Sequence, residues 1–193
     1  MAEISDEQLI LEFQAGNKDC VSMIFERYKT PIFNFCLRYL GNRPDAEDAT
    51  GDVFLKLFSH QYTFDPGAKF STWIYTIARN SCIDRIRKRK FSVSLWFTAR
   101  EDGSEGYWDI EDPSEVSRDQ LAQKEVTQSI RVGIRKLPLE QKEALILREY
   151  QGLSYEEIAK VLGCSLEKTK VLIFRARENL RKELSSLIQE GKK

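Results

Sequence analysis

LSYEEIAKVLGCSLEKTKVLIFRAR (Leu153–Arg177) reads as a short helix, a tight turn and a longer basic helix. Ser154 with Glu157 three residues on forms a capping box, in which each residue satisfies an amide that the helix leaves bare. Ile158 and Leu162 then point inward, Gly163 permits the turn, and Ser165 caps the next helix. On that last helix Thr169, Ile173, Ala176, Leu180, Leu184 and Leu187 recur at spacings of three and four, the period of a buried seam. Lys168, Lys170, Val171, Phe174 and Arg175 fall outside it. A helix fits the major groove of DNA, where cations reach phosphates or guanine edges and an apolar ring packs on a thymine methyl. The competing reading makes Phe174 ordinary core and the cations a solvated face; the capped helix and turn ahead of them favour DNA binding.

Outward from this motif, helical periodicity covers 121–136, 139–150, 154–162 and 165–188, with short connections at Gln151-Gly152 and Gly163-Cys164. No strand pattern, internal repeat or low-complexity tract is present. Upstream, from Ser92 to Asp119, periodicity fails, Gly103, Ser104, Gly106 and Pro113 appear, and acids dominate, which predicts a flexible linker. The expected organisation is all-α: a domain over 5–91, a linker over 92–120 and a second domain over 121–190.

The first domain predicts four helices. Ser5 with Gln8 opens the first, and Leu9, Ile10 and Phe13 follow at helical spacing. A second starts near Asn17 and carries Val21, Ile24, Phe25 and Tyr28 inward; Pro31 kinks it or opens a new segment, and Phe33, Cys36, Leu37 and Leu40 extend its apolar face. Gly41 stops it. Asn42-Arg43-Pro44 starts a third helix with core positions Ala49, Val53, Leu57 and Phe58. Asp65-Pro66-Gly67 is a turn, and a fourth helix from about Ser71 turns Ile74, Ile77 and Ala78 inward.

Net charge is zero over 193 residues, yet the charges are segregated. Arg79, Arg85, Arg87, Lys88, Arg89 and Lys90 face only Asp84 in one stretch, acids prevail from Arg100 to Asp119, and Lys168 to Lys182 is basic again. Phe70 to Lys90 interleaves aromatics with cations on one predicted helix, a mixture that suits unpaired bases: rings stack on a base while Arg and Lys hold the backbone. Equally compatible is a structural reading, with Trp73 and Ile77 in the core and Arg85 to Lys90 a solvated helix end. Asp45, Glu47, Asp48 and Asp52 form an acidic helix start suited to a basic partner surface; a metal is the less favoured alternative.

Hydrophobic residues at 41% and charged residues at 31% describe a folding, water-soluble chain. No apolar run nears the roughly 20 residues of a membrane span, and MAEISDEQLI has neither a basic leader nor a signal segment, so membrane insertion is not expected and a cytoplasmic location is. Cys20, Cys36, Cys82 and Cys164 are scattered and His60 stands alone, which argues for buried thiols and against a disulfide framework or zinc site. With one histidine, no P-loop and no paired nucleophile and base, an enzyme is not expected, nor any cofactor.

FSTWIYTIARNSCIDRIRKRK (Phe70–Lys90) resembles the second region of extracytoplasmic-function sigma factors, which melts and reads the promoter minus-ten element. Asp45 to Phe54 resembles the preceding helix, which docks on the clamp helices of the polymerase beta-prime subunit. Leu137-Pro138, Leu153 to Ala159 and Arg175 to Arg177 resemble the fourth region, which reads the minus-thirty-five element. The resemblance spans nearly the whole chain in order. It implies a non-enzymatic specificity factor whose partners are promoter DNA, core RNA polymerase (beta-prime clamp helices and beta flap) and an anti-sigma factor. It assigns Phe64, Lys69, Trp73, Asn80, Arg85, Arg87 and Lys88 to the minus-ten element, with Phe64 and Asn80 where relatives hold a flipped base. Lys168, Lys170, Val171, Phe174 and Arg175 go to the upstream element, and Asp45, Glu47, Asp48, Asp52 and Phe54 to polymerase. Gly51 replaces the usual Gln of the clamp-binding helix, and Glu167, Lys168 and Leu172 replace common Gly, Thr and Arg in the recognition helix. The rival is a stand-alone helix-turn-helix repressor or activator; the aromatic and basic residues of the first domain argue against it.

Overall fold

The computed structural model describes the backbone of residues 4–96 and 118–190, and the side chains of residues 4–89 and 126–185. Its elements are α1 (Asp6–Gln14), α2 (Asp19–Leu40), α3 (Arg43–His60), a 3₁₀ turn (Gln61–Thr63), α4 (Phe70–Trp96), α5 (Arg118–Lys136), α6 (Leu139–Glu149), α7 (Tyr155–Leu162) and α8 (Leu166–Glu190). No strand occurs among the described residues. The helices fall into two units, α1–α4 and α5–α8.

In the first unit, local chemistry sets the ends. The Ser5 hydroxyl accepts from the Gln8 amide at 3.2 Å, and the Asn42 side chain accepts from the Asp45 amide at 2.9 Å. Gly41 closes α2 at φ 83°, a left-handed conformation that a residue with a Cβ adopts only with strain. α2 runs unbroken through Pro31, whose missing N–H costs one helical hydrogen bond but does not end the helix. Its start is Asp19, whose amide is held by the Asn17 carbonyl oxygen of the side chain at 3.2 Å.

The core of this unit differs in detail from the predicted stripe. Leu9 and Ile10 of α1, Ile24, Ile32, Phe35 and Tyr39 of α2, Val53 and Leu57 of α3 and Phe70 and Ile74 of α4 are buried. Phe25 is instead 40% exposed, and Phe33, Leu40, Phe58 and Ile77 are half-buried. Each fully buried large side chain contributes about 1.5–3 kcal/mol.

α4 continues to Trp96, beyond the predicted boundary at 91, so the helix occupies the beginning of the segment read as linker. α5 starts at Arg118, ahead of Leu121. The remainder of that linker, 97–117, lies outside the described residues.

In the second unit Ile134 of α5, Leu137 of the bend that follows it, Leu145 of α6 and Ala176 of α8 form a buried cluster, with Ile130 and Leu180 packed against it. Of the expected α8 seam, Thr169, Ile173 and Ala176 are buried, Leu180 and Leu184 half-buried, and the Leu187 side chain lies outside the described set. The capping box is complete: Glu157 N donates to Ser154 Oγ at 3.2 Å and Ser154 N to Glu157 Oε2 at 2.7 Å. Gly163, at φ 66°, lets the Cys164 amide reach Ala159 O at 3.0 Å, and this sets the turn between α7 and α8. No helix among the described residues is long and apolar enough to cross a membrane.

Candidate nucleic-acid interface

The start of α8 is fixed by local hydrogen bonds. Ser165 Oγ accepts from the Lys168 amide at 3.1 Å, and the buried Thr169 hydroxyl donates to Ser165 O at 3.1 Å, which fixes the first turn. Lys168, Lys170, Val171, Phe174 and Arg175 are all exposed. Phe174 exposes 66% of its surface, so its assignment to the core is excluded. Positions 168, 171 and 175 share one side of the helix, and 170 and 174 lie beside them. Leu172 is buried instead, next to Ile173 and Ala176 in the packed face.

Two acids of α6 hold cations of α8. Lys168 Nζ sits 2.8 Å from Glu140 Oε1, and this carboxylate raises the lysine above its ordinary pKa. Arg177 donates from both Nε and Nη2 to Glu149 Oε1, which likewise raises it. Glu140 and Glu149 are far from their partners in sequence, and nothing in the sequence pattern singled them out. Beside them, Ile130, Ile134, Leu145, Tyr150 and Leu180 line an open apolar cavity of about 260 Å³ with Glu149 and Arg177 at its edge.

In the first unit the turn before α4 is pinned by Asp65, whose side chain accepts from the Gly67 amide at 2.9 Å and whose carbonyl accepts from Ala68 N at 2.9 Å. Phe64, expected against a base, is only 3% exposed. Its ring lies edge-on to Trp73 at 5.5 Å and to Phe70 at 6.0 Å, so it supports the surface from beneath. Trp73 is half-buried in this cluster, while Lys69, Asn80, Arg87 and Lys88 are exposed.

Arg85, expected at the minus-ten element, is engaged in ion pairs. Its side chain is 23% exposed and bridges Asp48 Oδ2 at 2.9 Å and Asp52 Oδ2 at 3.2 Å on α3. A residue assigned to DNA is thus held by two assigned to polymerase. Lys56 makes a parallel link to Asp84 at 3.3 Å and Ser81 at 3.2 Å. The other acids of α3 are also engaged: Asp45 accepts from Asn42 Nδ2 at 2.8 Å, and Glu47 pairs with Arg43 at 2.8 Å. Phe54, at 5% exposure, belongs to the interior and meets Phe25 edge-on at 4.8 Å; Phe25 of α2 and Leu55 of α3 are exposed. Among the described residues no group of three or more His, Cys, Asp and Glu is placed to hold a metal. Cys20, Cys36 and Cys82 are buried free thiols, whereas Cys164 is only half-buried.

One helical unit carries an aromatic and cationic helix, and the second unit of the same chain carries a helix-turn-helix. Sigma-70 region 2 matches residues 24–92, and Sigma-70, region 4 matches residues 127–180. The chain is 34% identical over 188 residues to the ECF RNA polymerase sigma factor SigW of Bacillus subtilis, covering 96% of this chain and 100% of that protein. It is 29% identical to the RNA polymerase sigma-H factor of Pseudomonas aeruginosa, over 99% and 100% of the two chains. Its fold is similar to CnrH in complex with the cytosolic domain of CnrY (TM-score 0.69, 21% identity, 95% and 99% covered). It is also similar to the sigma factor RpoE in complex with the anti-sigma factor NepR from Bartonella quintana (TM-score 0.66, 24% identity, 85% and 96% covered). The chain belongs to the sigma-70 family, as an extracytoplasmic-function RNA polymerase sigma factor that directs promoter-specific transcription.

Proposed function

We propose that the chain grips two promoter elements while seated on core RNA polymerase, in the cytoplasm and without a cofactor or catalytic chemistry of its own. The observation that carries this reading is the exposed side of α8, where Val171, Phe174 and Arg175 present a β-branched side chain, a bare ring and a cation to solvent. Laid in the major groove, Arg175 reaches phosphate or a guanine edge, Phe174 and Val171 meet thymine methyls, and Lys170 and Lys168 track the backbone. Lys168 must exchange Glu140 for a phosphate to do so.

In the first unit Lys69, Trp73 and Asn80 form the surface for a single-stranded minus-ten base, with Arg87 and Lys88 on its backbone and Phe64 as the buried anchor beneath. Arg85 contributes once Asp48 or Asp52 is drawn to a basic partner. The carboxylates of α3, with the exposed Leu55 and Phe25, suit the clamp helices of the beta-prime subunit, and the α5–α8 unit suits the beta flap. A solved relative bound to an anti-sigma factor, RpoE with NepR, supports a regulator of the same kind here.

Transcription by core polymerase reconstituted with the Arg175→Ala variant tests the reading. Promoters that depend on the upstream element should lose about 5- to 150-fold activity, the range for one specific base contact. Equal activity on them would remove Arg175 from the reading set. Asn80→Ala should reduce permanganate reactivity of the melted strand while polymerase binding holds; equal footprints would remove Asn80.

A further inference from the structure

We propose that α1 is the positioning element of the minus-ten reading loop, acting through Glu7 and Gln14; this rests on the assignment of Lys69, Trp73 and Asn80 to the base. The matched region 2 begins at residue 24, after α1 has ended. Yet α1 reaches both ends of the segment that joins α3 to α4. Gln14 Nε2 donates to Gln61 O at 2.6 Å and to Phe64 O at 3.5 Å, where the loop leaves the 3₁₀ turn. At the other end the Phe70 amide donates to Glu7 Oε1 at 3.0 Å. Phe70 is the first residue of α4, so the Glu7 carboxylate caps that helix from another element and meets the positive end of its dipole.

The loop's own bonds are local: Phe64 N to Gln61 O at 3.1 Å, and Gly67 N and Ala68 N to Asp65. These close turns, and the buried Phe64 ring, packed on Phe70 and Trp73, anchors the middle of the loop; its two ends are held by Gln14 and Glu7. Docking of α1 itself needs neither polar side chain, because Leu9 and Ile10 are fully buried and Phe13 meets Phe58 edge-on at 6.2 Å. Asp6 fastens the same helix further, accepting from Arg27 Nη1 and Tyr28 Oη, both at 2.6 Å. Glu7 and Gln14 therefore hold the two ends of the segment that carries Phe64 and Lys69 and begins the helix of Trp73. The Gln61 side-chain oxygen, buried and without a partner among the described residues, lies on this segment and gives it little local reason to stay there.

The test is open-complex yield with core polymerase and the full chain on four templates that differ only at the melted minus-ten base. Glu7→Ala and Gln14→Ala should narrow the ratio between best and worst template about 3- to 10-fold, the size of one lost hydrogen bond, with affinity for core polymerase unchanged. Glu7→Gln keeps an acceptor for the Phe70 amide and should retain the wild-type ratio. A uniform drop on all four templates, in step with a lowered melting temperature, would make α1 merely structural and overturn the inference. Lys69→Ala and Asn80→Ala separate the two levels. If they change the ratio and the α1 variants do not, only the inference fails; if they leave it unchanged, the base-reading assignment fails and the inference with it.

Discussion

Phe174 stands two-thirds exposed beside the exposed Val171, on a helix whose Leu172 and Ile173 are inside, and the proposed contact with the upstream element rests on this contrast. Phe174→Ala should change the melting temperature little, by the roughly 0.5 kcal/mol of a surface substitution, yet weaken promoter complexes several-fold; a large loss of stability would return the ring to the core. Tyr28 behaves in the opposite way. Burial, then its hydrogen bond to Asp6, raises its phenol above the ordinary value near 10. The folded chain keeps this proton where the unfolded chain loses it. The contribution is therefore complete below about pH 10 and is lost as pH rises through the higher folded value. Tyr28→Phe should lessen the alkaline decline in denaturant midpoint, with part remaining from Tyr75, which burial raises similarly. At this scale the sequence was legible to within the edges of a stripe. Ile24, Val53 and Leu57 lie inside as the helical period requires, but Phe25 stays exposed while Phe54, which it meets edge-on, is buried, since the neighbouring helix decides which ring is covered.

Elements were easier to read because their ends depend on nearby residues. Ser5, Asn42, Ser154 and Ser165 each accept from an amide three residues on, and Gly41 and Gly163 take the left-handed conformation that stops a helix. Ser154→Ala should cost about 1 kcal/mol in chemical denaturation of the α5–α8 unit; no change would mean that the box is redundant. Pairings across elements were not legible, since no local pattern links Arg85 to Asp48 and Asp52, Lys168 to Glu140 or Arg177 to Glu149. The end of α4 was missed for a related reason. Ser92, Val93 and Ser94 are weak helix formers, and the helix continues through them to Trp96. The Arg85 bridge has its own consequence: neutralising Asp48 and Asp52 together should raise polymerase-free binding of a minus-ten oligonucleotide. In an Arg85→Gln background the gain should largely vanish; an equal gain there would reduce it to a general charge effect.

At the scale of the molecule, zero net charge conceals two basic helices in two separate units, which suits a protein that must not bind DNA indiscriminately. Each proposed interface is carried by a handful of side chains. Tethering on polymerase raises the effective concentration of each unit for its element, so contacts too weak to act singly become useful together. Fluorescence anisotropy should accordingly show weak, steeply salt-dependent duplex binding by the chain alone, and tight binding by that chain with core polymerase. The most direct measurement is run-off transcription by sigma-free core polymerase from a pool of the host's promoter fragments, with and without the purified chain. The account predicts discrete transcripts that require both components. Tight duplex binding by the chain alone, with no complex with core polymerase and no dependent transcript, would contradict it.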